Sequence, residues 1–176
     1  ATAAKITGAA NVVTDPDGQT RIVVGSHDAS LHCLDAATGA LLWRYEADSY
    51  INGAPAVVGD RVVLGSCDAS VHILSAVDGE LLHELDTGSY VPGSPALDAD
   101  TLWVGNYDGT LTAASLETGE TRWRFEAGTP FFTSPAIDPT RVLAATEAGT
   151  LHCLARDTGE ALWTFSTGAQ VHASPT

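Results

Sequence analysis

The chain has 176 residues and a formal net charge of −14, because it carries 22 acidic side chains against 8 lysines and arginines. A surface this acidic repels phosphate backbones and anionic membranes, so we expect no nucleic-acid partner. Apolar residues make up 44% of the chain, which indicates a folded globular protein, yet no apolar run is long enough to span a bilayer.

Two sets of residues recur along the chain with a period of 40 residues. The first set is Gly39, Gly79, Gly119 and Gly159, and the second is Pro55, Pro95, Pro135 and Pro175. Because two independent markers share one period, the chain consists of four tandem structural units.

Each unit contains four short apolar segments separated by turn residues. In the second unit they are APAVV (54–58), RVVLGS (61–66), SVHILS (70–75) and ELLHEL (80–85). Four such strands in about 40 residues, repeated in series, are typical of a propeller blade, whereas the rungs of a β-solenoid are usually shorter. We therefore predict an all-β fold, a β-propeller of four-stranded antiparallel blades. The four blades are expected at about 4–47, 48–87, 88–127 and 128–168, with 169–176 beginning a further inner strand.

A Thr-Gly pair followed by tryptophan recurs in the turn between the third and fourth strands, as in DAATGALLW (35–43). Glycine allows the positive φ of such a turn, and the threonine hydroxyl can bond to the local backbone. The tryptophan then lies on the outermost strand, where its ring can cover the glycine turn of an adjacent blade. The predicted docking residues are Thr38, Gly39, Trp43, Gly79, Thr118, Gly119, Trp123, Thr158, Gly159 and Trp163.

The second unit departs from this pattern, with Asp78 in place of threonine and His83 in place of tryptophan. Imidazole buries less apolar area than indole, so we predict weaker packing where this unit meets its neighbour. His83 is expected to be a partly exposed packing residue and not a catalytic one.

The three cysteines are Cys33, Cys67 and Cys153, an odd number without CxxC spacing. This arrangement argues against a disulfide framework. Cys33 and Cys153 occupy the same place in two copies of LHCL, and we predict that both are small core residues.

The turns between second and third strands and the links between blades should emerge on the same side of a propeller. Residues that differ from unit to unit there are candidates for binding, because the scaffold does not dictate them. The candidate face comprises His27, Asp28, Tyr50, Asn52, Asp68, Tyr90, Tyr107, Asp108, Phe131, Phe132, Glu147, Gln170 and His172. Each aspartate, taken singly, is expected to hold its turn.

Catalytic and metal motifs are missing from this pattern. A metal site built from His27, Cys67 and Glu147 is disfavoured, since equivalent positions on different blades are too far apart to share an ion. The sequence contains no Ser-His-Asp order, phosphate loop or zinc motif. We therefore predict no catalytic, cofactor-binding or metal-binding residue.

The segments GSHDASLHCLDAATGALLWRY, NYDGTLTAASLETGETRWRF and AGTLHCLARDTGEALWTF resemble the PQQ-type propeller repeat with its tryptophan-docking motif. The resemblance covers essentially the whole chain. This repeat is found in bacterial quinoprotein alcohol dehydrogenases, in the outer-membrane assembly lipoprotein of the β-barrel machinery and in sensor regions of bacterial kinases. It implies a bacterial protein in the periplasm or elsewhere outside the cytoplasm.

The dehydrogenases of this family hold their cofactor between a tryptophan and a vicinal disulfide, beside a calcium or lanthanide bound by Glu, Asn and Asp. This chain has no adjacent cysteines, and its tryptophans occupy docking positions apart from Trp103. We therefore predict a non-catalytic scaffold that recognises a protein or small ligand. The alternative is a fragment of a PQQ-dependent periplasmic dehydrogenase, with PQQ and calcium, whose catalytic residues lie elsewhere. A third reading is an engineered or excised half-propeller.

Family propellers have seven or eight blades, and the domain 1–176 has four, half of an expected eight-bladed ring. The start, ATAAKITG, lacks an initiator methionine and a signal-peptide pattern, as expected of a mature form or excised piece. An open half-ring exposes two apolar blade faces. The chain is then a segment of a longer propeller, one of two paired copies, or, least expected, a closed four-blade ring. For the chain alone we predict a homodimer or a higher assembly.

Overall fold

The computed structural model describes residues 2–14 and 18–175, and all regular secondary structure in them is β-strand. The strands are β1 (Asn11–Thr14), β2 (Thr20–Gly25), β3 (Ser30–Asp35), β4 (Leu41–Glu46), β5 (Ala56–Val58), β6 (Arg61–Gly65), β7 (Ser70–Ser75), β8 (Leu81–Asp86), β9 (Ala96–Leu97), β10 (Thr101–Gly105), β11 (Thr110–Ser115), β12 (Thr121–Glu126), β13 (Ala136–Ile137), β14 (Arg141–Ala145), β15 (Thr150–Ala155) and β16 (Ala161–Ser166). Within this described part of the chain no helix could cross a membrane.

The strands form four sheets of four, and within each sheet the spatial order follows the chain order. Every adjacent pair is antiparallel, so each sheet is a meander joined by short turns. This confirms the predicted all-β propeller with four-stranded blades. We number the blades 1 to 4, beginning with the sheet of β1–β4. The further inner strand expected to begin at 169–176 does not form in residues 169–175, and Thr176 lies outside the described residues.

A β-bulge at the same place in every blade turns the outermost strand. In blade 1, Cys33 pairs with Trp43 and Leu34 pairs with Leu41, which leaves Leu42 as the extra residue. The other three blades show the same shift. Because a bulge reverses the alternation of side chains, Trp43 and its equivalents point toward the next blade.

The apolar core lies between blades and not within any one of them. Val23, Leu31 and Cys33 of blade 1 pack against Leu64 and Leu74 of blade 2. Equivalent clusters join blades 2 and 3 and blades 3 and 4. Side chains alternate along each strand, so one set faces the preceding blade and the other set faces the following blade. The sheets of blades 2 and 3 are therefore covered on both faces.

The two terminal blades each leave one face uncovered. All six residues of β16 are exposed, including Trp163 at 45% and Phe165 at 60%, and at the other end Val12 is 56% exposed. These large apolar side chains would be buried if blade 4 packed against blade 1. The closed four-blade ring is therefore wrong, and the fold is an open half-ring.

Candidate functional site

The turns between second and third strands are joined to the links that precede each blade. The backbone amides of Cys67, Tyr107 and Glu147 donate to the carbonyls of Tyr50, Tyr90 and Pro130 at 2.9, 3.0 and 2.8 Å. In blade 1 the amide of His27 donates to the Lys5 carbonyl at 3.0 Å. We call this surface of turns and links the link face.

One residue of each link turns inward and leaves the link face. Ile51, Val91 and Phe131 are almost completely buried, and Phe131 is 1% exposed. A Cβ added at Gly105 would lie 2.4 Å from the Phe131 Cβ, so the glycine is what lets this aromatic residue seat against β10. The placement of Phe131 on the binding face was wrong, because this link position completes the core between blades 3 and 4.

Three aromatic side chains meet on the link face, and we call them the aromatic cluster: Tyr90, Tyr107 and Phe132. The rings of Tyr90 and Tyr107 stack with centroids 4.4 Å apart, and the rings of Tyr107 and Phe132 form a T-shaped pair with centroids 5.7 Å apart. Tyr107 is exposed to solvent. A second stack, between His27 and Tyr50 at 5.2 Å, lies on the link face of blades 1 and 2.

The Tyr90 hydroxyl in the aromatic cluster keeps its proton at neutral pH. Desolvation, with the Tyr107 hydroxyl beside it, raises the pKa of Tyr90 to about 12. The phenol therefore keeps its proton over the whole physiological range. The cluster offers a partner both an apolar ring surface and polar donors, the combination that favours tyrosine at protein interfaces.

Two of the three candidate aspartates hold their own turns. Asp28 accepts from the amides of Ser30 and Ala3 at 3.2 and 2.8 Å. Asp68 accepts from the Ser70 amide at 2.9 Å and lies 3.1 Å from His72 Nε2. Both carboxylates are largely buried, so these two residues are turn-forming and not free to bind.

The pKa of Asp28 reflects that structural role. Burial alone would raise it, but hydrogen bonds from Ala3, Ser26 and Ser30, together with nearby His32, hold the pKa of this carboxyl below its ordinary value. In blade 3 the side chain of Asn106 accepts from the Thr110 amide at 2.8 Å instead. Asp108 is thereby left exposed next to Tyr107.

The remaining candidates do not join one site. Asn52 Nδ2 donates to Cys67 Sγ at 3.0 Å, and Glu147 is half-buried. Gln170 and His172 are exposed beyond blade 4, at the open end of the half-ring. The structure therefore brings together the aromatic cluster and Asp108, and it spreads the other residues along the face.

The sequence did not lead us to predict two polar contacts, one made by Thr7 on the link face and one made by His72 between blades. Thr7, in the link before blade 1, donates to the Asn52 carbonyl at 3.1 Å and lies 3.1 Å from His27 Nε2. The match of ITGAANVV to INGAPAVV was the signal that could have placed Thr7 on the link face. His72 lies 2.9 Å from the Tyr45 hydroxyl of the preceding blade, and the recurring histidines His32, His72 and His152 were the signal for this polar contact.

Tryptophan covers a glycine turn at two of the three joints between blades. A Cβ added at Gly79 would lie 2.5 Å from the Trp43 ring, and one at Gly159 would lie 2.5 Å from the Trp123 ring. Trp43 Nε1 donates to the Ala76 carbonyl at 3.2 Å, and Trp123 Nε1 donates to the Arg156 carbonyl at 2.8 Å. The glycines adopt φ of 77° and 72°, which only glycine takes without strain.

Two of the expected docking residues are not docked. Trp163 is 45% exposed, and nothing lies within 4 Å of a Cβ added at Gly39. The prediction that both take part in packing was wrong for the isolated chain, because Trp163 has no following blade and Gly39 has no preceding one.

The second blade docks through a smaller side chain. A Cβ at Gly119 would lie 2.8 Å from the His83 Cβ, so histidine takes the place of the indole. Asp78 accepts from the Glu80 amide at 3.2 Å, just as Thr118 and Thr158 accept from Glu120 and Glu160 at 3.3 Å. Asp78 therefore takes over the role of threonine as the acceptor in the turn. His83 does not take over the role of tryptophan as a donor, so the Leu116 carbonyl lacks the indole N–H that the equivalent carbonyl accepts from at the other two joints.

Replacing His83 with tryptophan should strengthen the joint between blades 2 and 3. The indole would cover Gly119 and bring its N–H to the Leu116 carbonyl, as Trp43 does at Ala76. We expect His83→Trp to raise the free energy of unfolding by about 1–2 kcal/mol, from added apolar burial. Urea unfolding followed by circular dichroism measures this. The matched control is His83→Phe, which should gain less, and equal or lower stability of His83→Trp would contradict the docking geometry.

The residues around the axis of the half-ring do not fit PQQ and its metal ion. A cleft of about 310 Å³ opens there, lined by neutral and mostly small residues. They are Thr7, Gly8, Ala9, Asn52, Gly53, Ala54, Pro92, Gly93, Ser94, Phe132, Ser134 and Ser174. In the described part of the chain no group of three His, Cys, Asp or Glu residues could hold a metal ion, and the cysteines are free and lie in separate blades.

The family model for the outer membrane protein assembly factor BamB matches residues 7–131 and 107–176. No curated protein matches the chain closely enough to count as a relative. Among solved structures, BamB from Moraxella catarrhalis is 24% identical with a TM-score of 0.79, over 97% of this chain and 55% of that one. The computationally designed Ika4 protein is 21% identical with a TM-score of 0.78, over 88% of this chain and 93% of its own.

The quinohemoprotein alcohol dehydrogenase from Comamonas testosteroni is 15% identical with a TM-score of 0.78, over 93% of this chain and 35% of the enzyme. At these identities the likeness shows the fold alone. The chain spans about half the length of the Moraxella protein, at 55%. The family match covers essentially the whole chain and confirms the resemblance seen in the repeats. The chain therefore belongs to the outer membrane protein assembly factor BamB family of PQQ-like β-propeller repeat proteins.

Proposed function

We propose that this chain is a non-catalytic propeller module that binds a protein partner through its link face. The observation that carries the proposal is the aromatic cluster, where three aromatic residues from two links and one turn meet at the surface. Aromatic residues are enriched in the centres of protein interfaces and supply much of the binding energy there. A scaffold built only for stability has no need to stack tyrosines at its surface.

The charge of the chain defines the chemistry of that partner. Asp108 is exposed beside the aromatic cluster, and the whole chain carries a net charge of −14. An acidic surface attracts and orients positively charged partners. The segment that fits best is an extended polypeptide in which apolar or aromatic side chains alternate with lysine or arginine.

The family description supports a protein partner over a small substrate. An outer membrane protein assembly factor acts on other proteins, and its description refers to the outer membrane. We therefore place this chain outside the cytoplasm and give it no cofactor. The residues around the axis, which are neutral and mostly small, support the same choice.

Fluorescein-labelled peptides in which Phe or Leu alternates with Lys test this function directly. Saturable binding in fluorescence anisotropy is expected, and it should weaken at least about tenfold in Tyr107→Ala, the loss typical of an interface hot spot. Matched peptides with Asp in place of Lys should bind far less. Raising the salt concentration should also weaken binding, because it screens exposed charges.

Val77→Ala is the control, because Val77 is exposed on a turn between third and fourth strands, away from the link face. Equal binding by the Tyr107→Ala variant, or no binding by any peptide, would refute recognition through the aromatic cluster. PQQ with calcium is the probe for the enzyme alternative. Saturable change of PQQ absorbance, with reduction of an added dye, would overturn the non-catalytic assignment.

Self-association is the second part of the proposal. The exposed apolar side chains at both ends of the half-ring, among them Leu41, Trp163 and Phe165, support a second copy as the covering partner. Apolar patches of this kind are usually covered in a stable soluble protein. Two copies related by a twofold axis would cover all four open faces at once.

A further inference from the structure

The open face of blade 4 carries two aromatic residues in the positions that dock blades together elsewhere in the chain. Trp163 occupies the position of Trp43 and Trp123, and Phe165 that of Tyr45 and Phe125. Trp123 is 8% exposed where a blade follows it, whereas Trp163 is 45% exposed. The open face of blade 4 therefore presents both docking side chains without a following blade for them to pack against.

The open face of blade 1 has a cleft that matches these two side chains. A cleft of about 420 Å³ opens there, with Ile6, Val24, His32, Leu34, Gly39 and Leu41 among its lining residues. The equivalents of these residues in blade 2 include Leu64, Leu74 and Gly79, and inside the chain Trp43 and Tyr45 pack against that part of the blade. The cleft on blade 1 is therefore the equivalent surface without the two aromatic side chains of a preceding blade.

We propose that the cleft on blade 1 receives Trp163 and Phe165 of a second copy of this chain, which closes an eight-bladed ring of two copies. This rests on the self-association proposed above. The Trp163 ring would cover Gly39, its Nε1 would donate to the Ala36 carbonyl, and Phe165 would pack on His32. The joints between blades 1 and 2 and between blades 3 and 4 show the same arrangement, so the new interface continues one that the fold already uses.

Each joint between blade 4 of one copy and blade 1 of the other has room for only one link. Residues 169–175, which we call the tail segment, follow blade 4 in the position that a link to the next blade takes. There the Ser134 amide donates to Ser174 Oγ at 3.0 Å, as the Ala54 amide does to Ser94 Oγ at 2.8 Å. In a closed ring, residues 5–9 of the second copy, the leading link, require the same space.

A glycine favours the leading link over the tail segment in that space. A Cβ added at Gly8 would lie 2.5 Å from the Gly53 carbonyl oxygen, closer than real Cβ atoms come. The residue of the tail segment at the equivalent position is Ala173. Thr133 shows that a residue with a Cβ can hold the equivalent position, but Gly8 allows a closer approach to the next link. The leading link should therefore fit this place better than the tail segment, which would be displaced. The tail segment is thus an internal competitor of ring closure.

Light scattering and sedimentation equilibrium of the 176-residue chain test this inference. Two copies should give twice the 18.2 kDa of the monomer. Trp163→Ala should weaken association on the order of 100-fold, as for a buried tryptophan hot spot. Val171→Asp, which dislodges the tail segment without shortening the chain, should strengthen association at least about tenfold. Circular dichroism of each variant verifies the fold.

Leu162→Ala is the matched control, because its equivalent Leu42 stays exposed, at 43%, although a blade follows it. It should leave association unchanged. Association that is insensitive to Trp163→Ala, or weakened by Val171→Asp, would overturn this docking mode while leaving self-association in place. A monomer at every concentration in all variants would overturn both. Peptide binding at the aromatic cluster is measured separately in the Trp163→Ala variant, so its outcome is independent of ring closure.

Discussion

Replacing Trp123 with alanine is expected to lower the free energy of unfolding by about 3–5 kcal/mol, the usual loss for a buried large aromatic residue. The side chain is 8% exposed and belongs to the cluster between blades 3 and 4 with Trp103, Leu111 and Phe131. Its Nε1 donates to the Arg156 carbonyl at 2.8 Å. Alanine therefore leaves a cavity and removes the indole donor from that carbonyl. Urea unfolding at a monomeric protein concentration measures the loss.

Trp163→Ala is the internal control for that measurement. The same residue type stands at the same place in the repeat, but it is 45% exposed and has no blade to cover. In the monomer we expect a change within about 1 kcal/mol, as for most surface positions. If the two variants lost equal stability, tryptophan at this position would act within its own blade, and docking between blades would be refuted.

Gly159→Ala is expected to destabilise the chain by about 2–4 kcal/mol, through backbone strain and overpacking together. Gly159 has φ of 72°, a conformation in which a side chain is strained. The new methyl group would also lie 2.5 Å from the Trp123 ring, so the indole would have to move off the turn. Thermal or urea unfolding, followed by circular dichroism, measures the effect.

Gly39→Ala separates these two causes. Its φ of 71° is nearly the same, but nothing lies within 4 Å of the added Cβ. It should lose only about 1–2 kcal/mol from strain. In the Trp123→Ala background, Gly159→Ala should fall to the same value, because the clash has gone. A Gly39→Ala loss as large as that of Gly159→Ala would show that the turn conformation alone sets the requirement for glycine.

The architecture was predictable because its signals are local and repeated. The period of 40 residues counted the blades, and the alternation and turn residues in each unit indicated four short strands. The glycine turns followed from the same pattern, since positive φ depends on the backbone of a single residue. Asp78 could replace threonine for the same reason, because its acceptor reaches only two residues along the chain.

The candidate site was less predictable, because neighbouring residues of one link can lie in different places, one in the core and the next at the surface. Phe131 and Phe132 are adjacent in sequence, yet the first is buried against Gly105 and the second lies in the aromatic cluster. Asp68 and Asp108 occupy equivalent places, yet only Asp68 is held inside its turn. Which side chain reaches the surface depends on the blade that packs beside it, and no local pattern contains that information.

The sequence by itself determined the fold class, the number of blades and the residues able to dock them together. Only the tertiary structure decided which of those residues are used. Trp123 and Trp163 lie in nearly identical local sequences, and so do Gly159 and Gly39, but one of each pair is packed and the other is not. The physical reason is that burial in a propeller comes from the adjacent blade, so identical repeats differ only by what stands next to them.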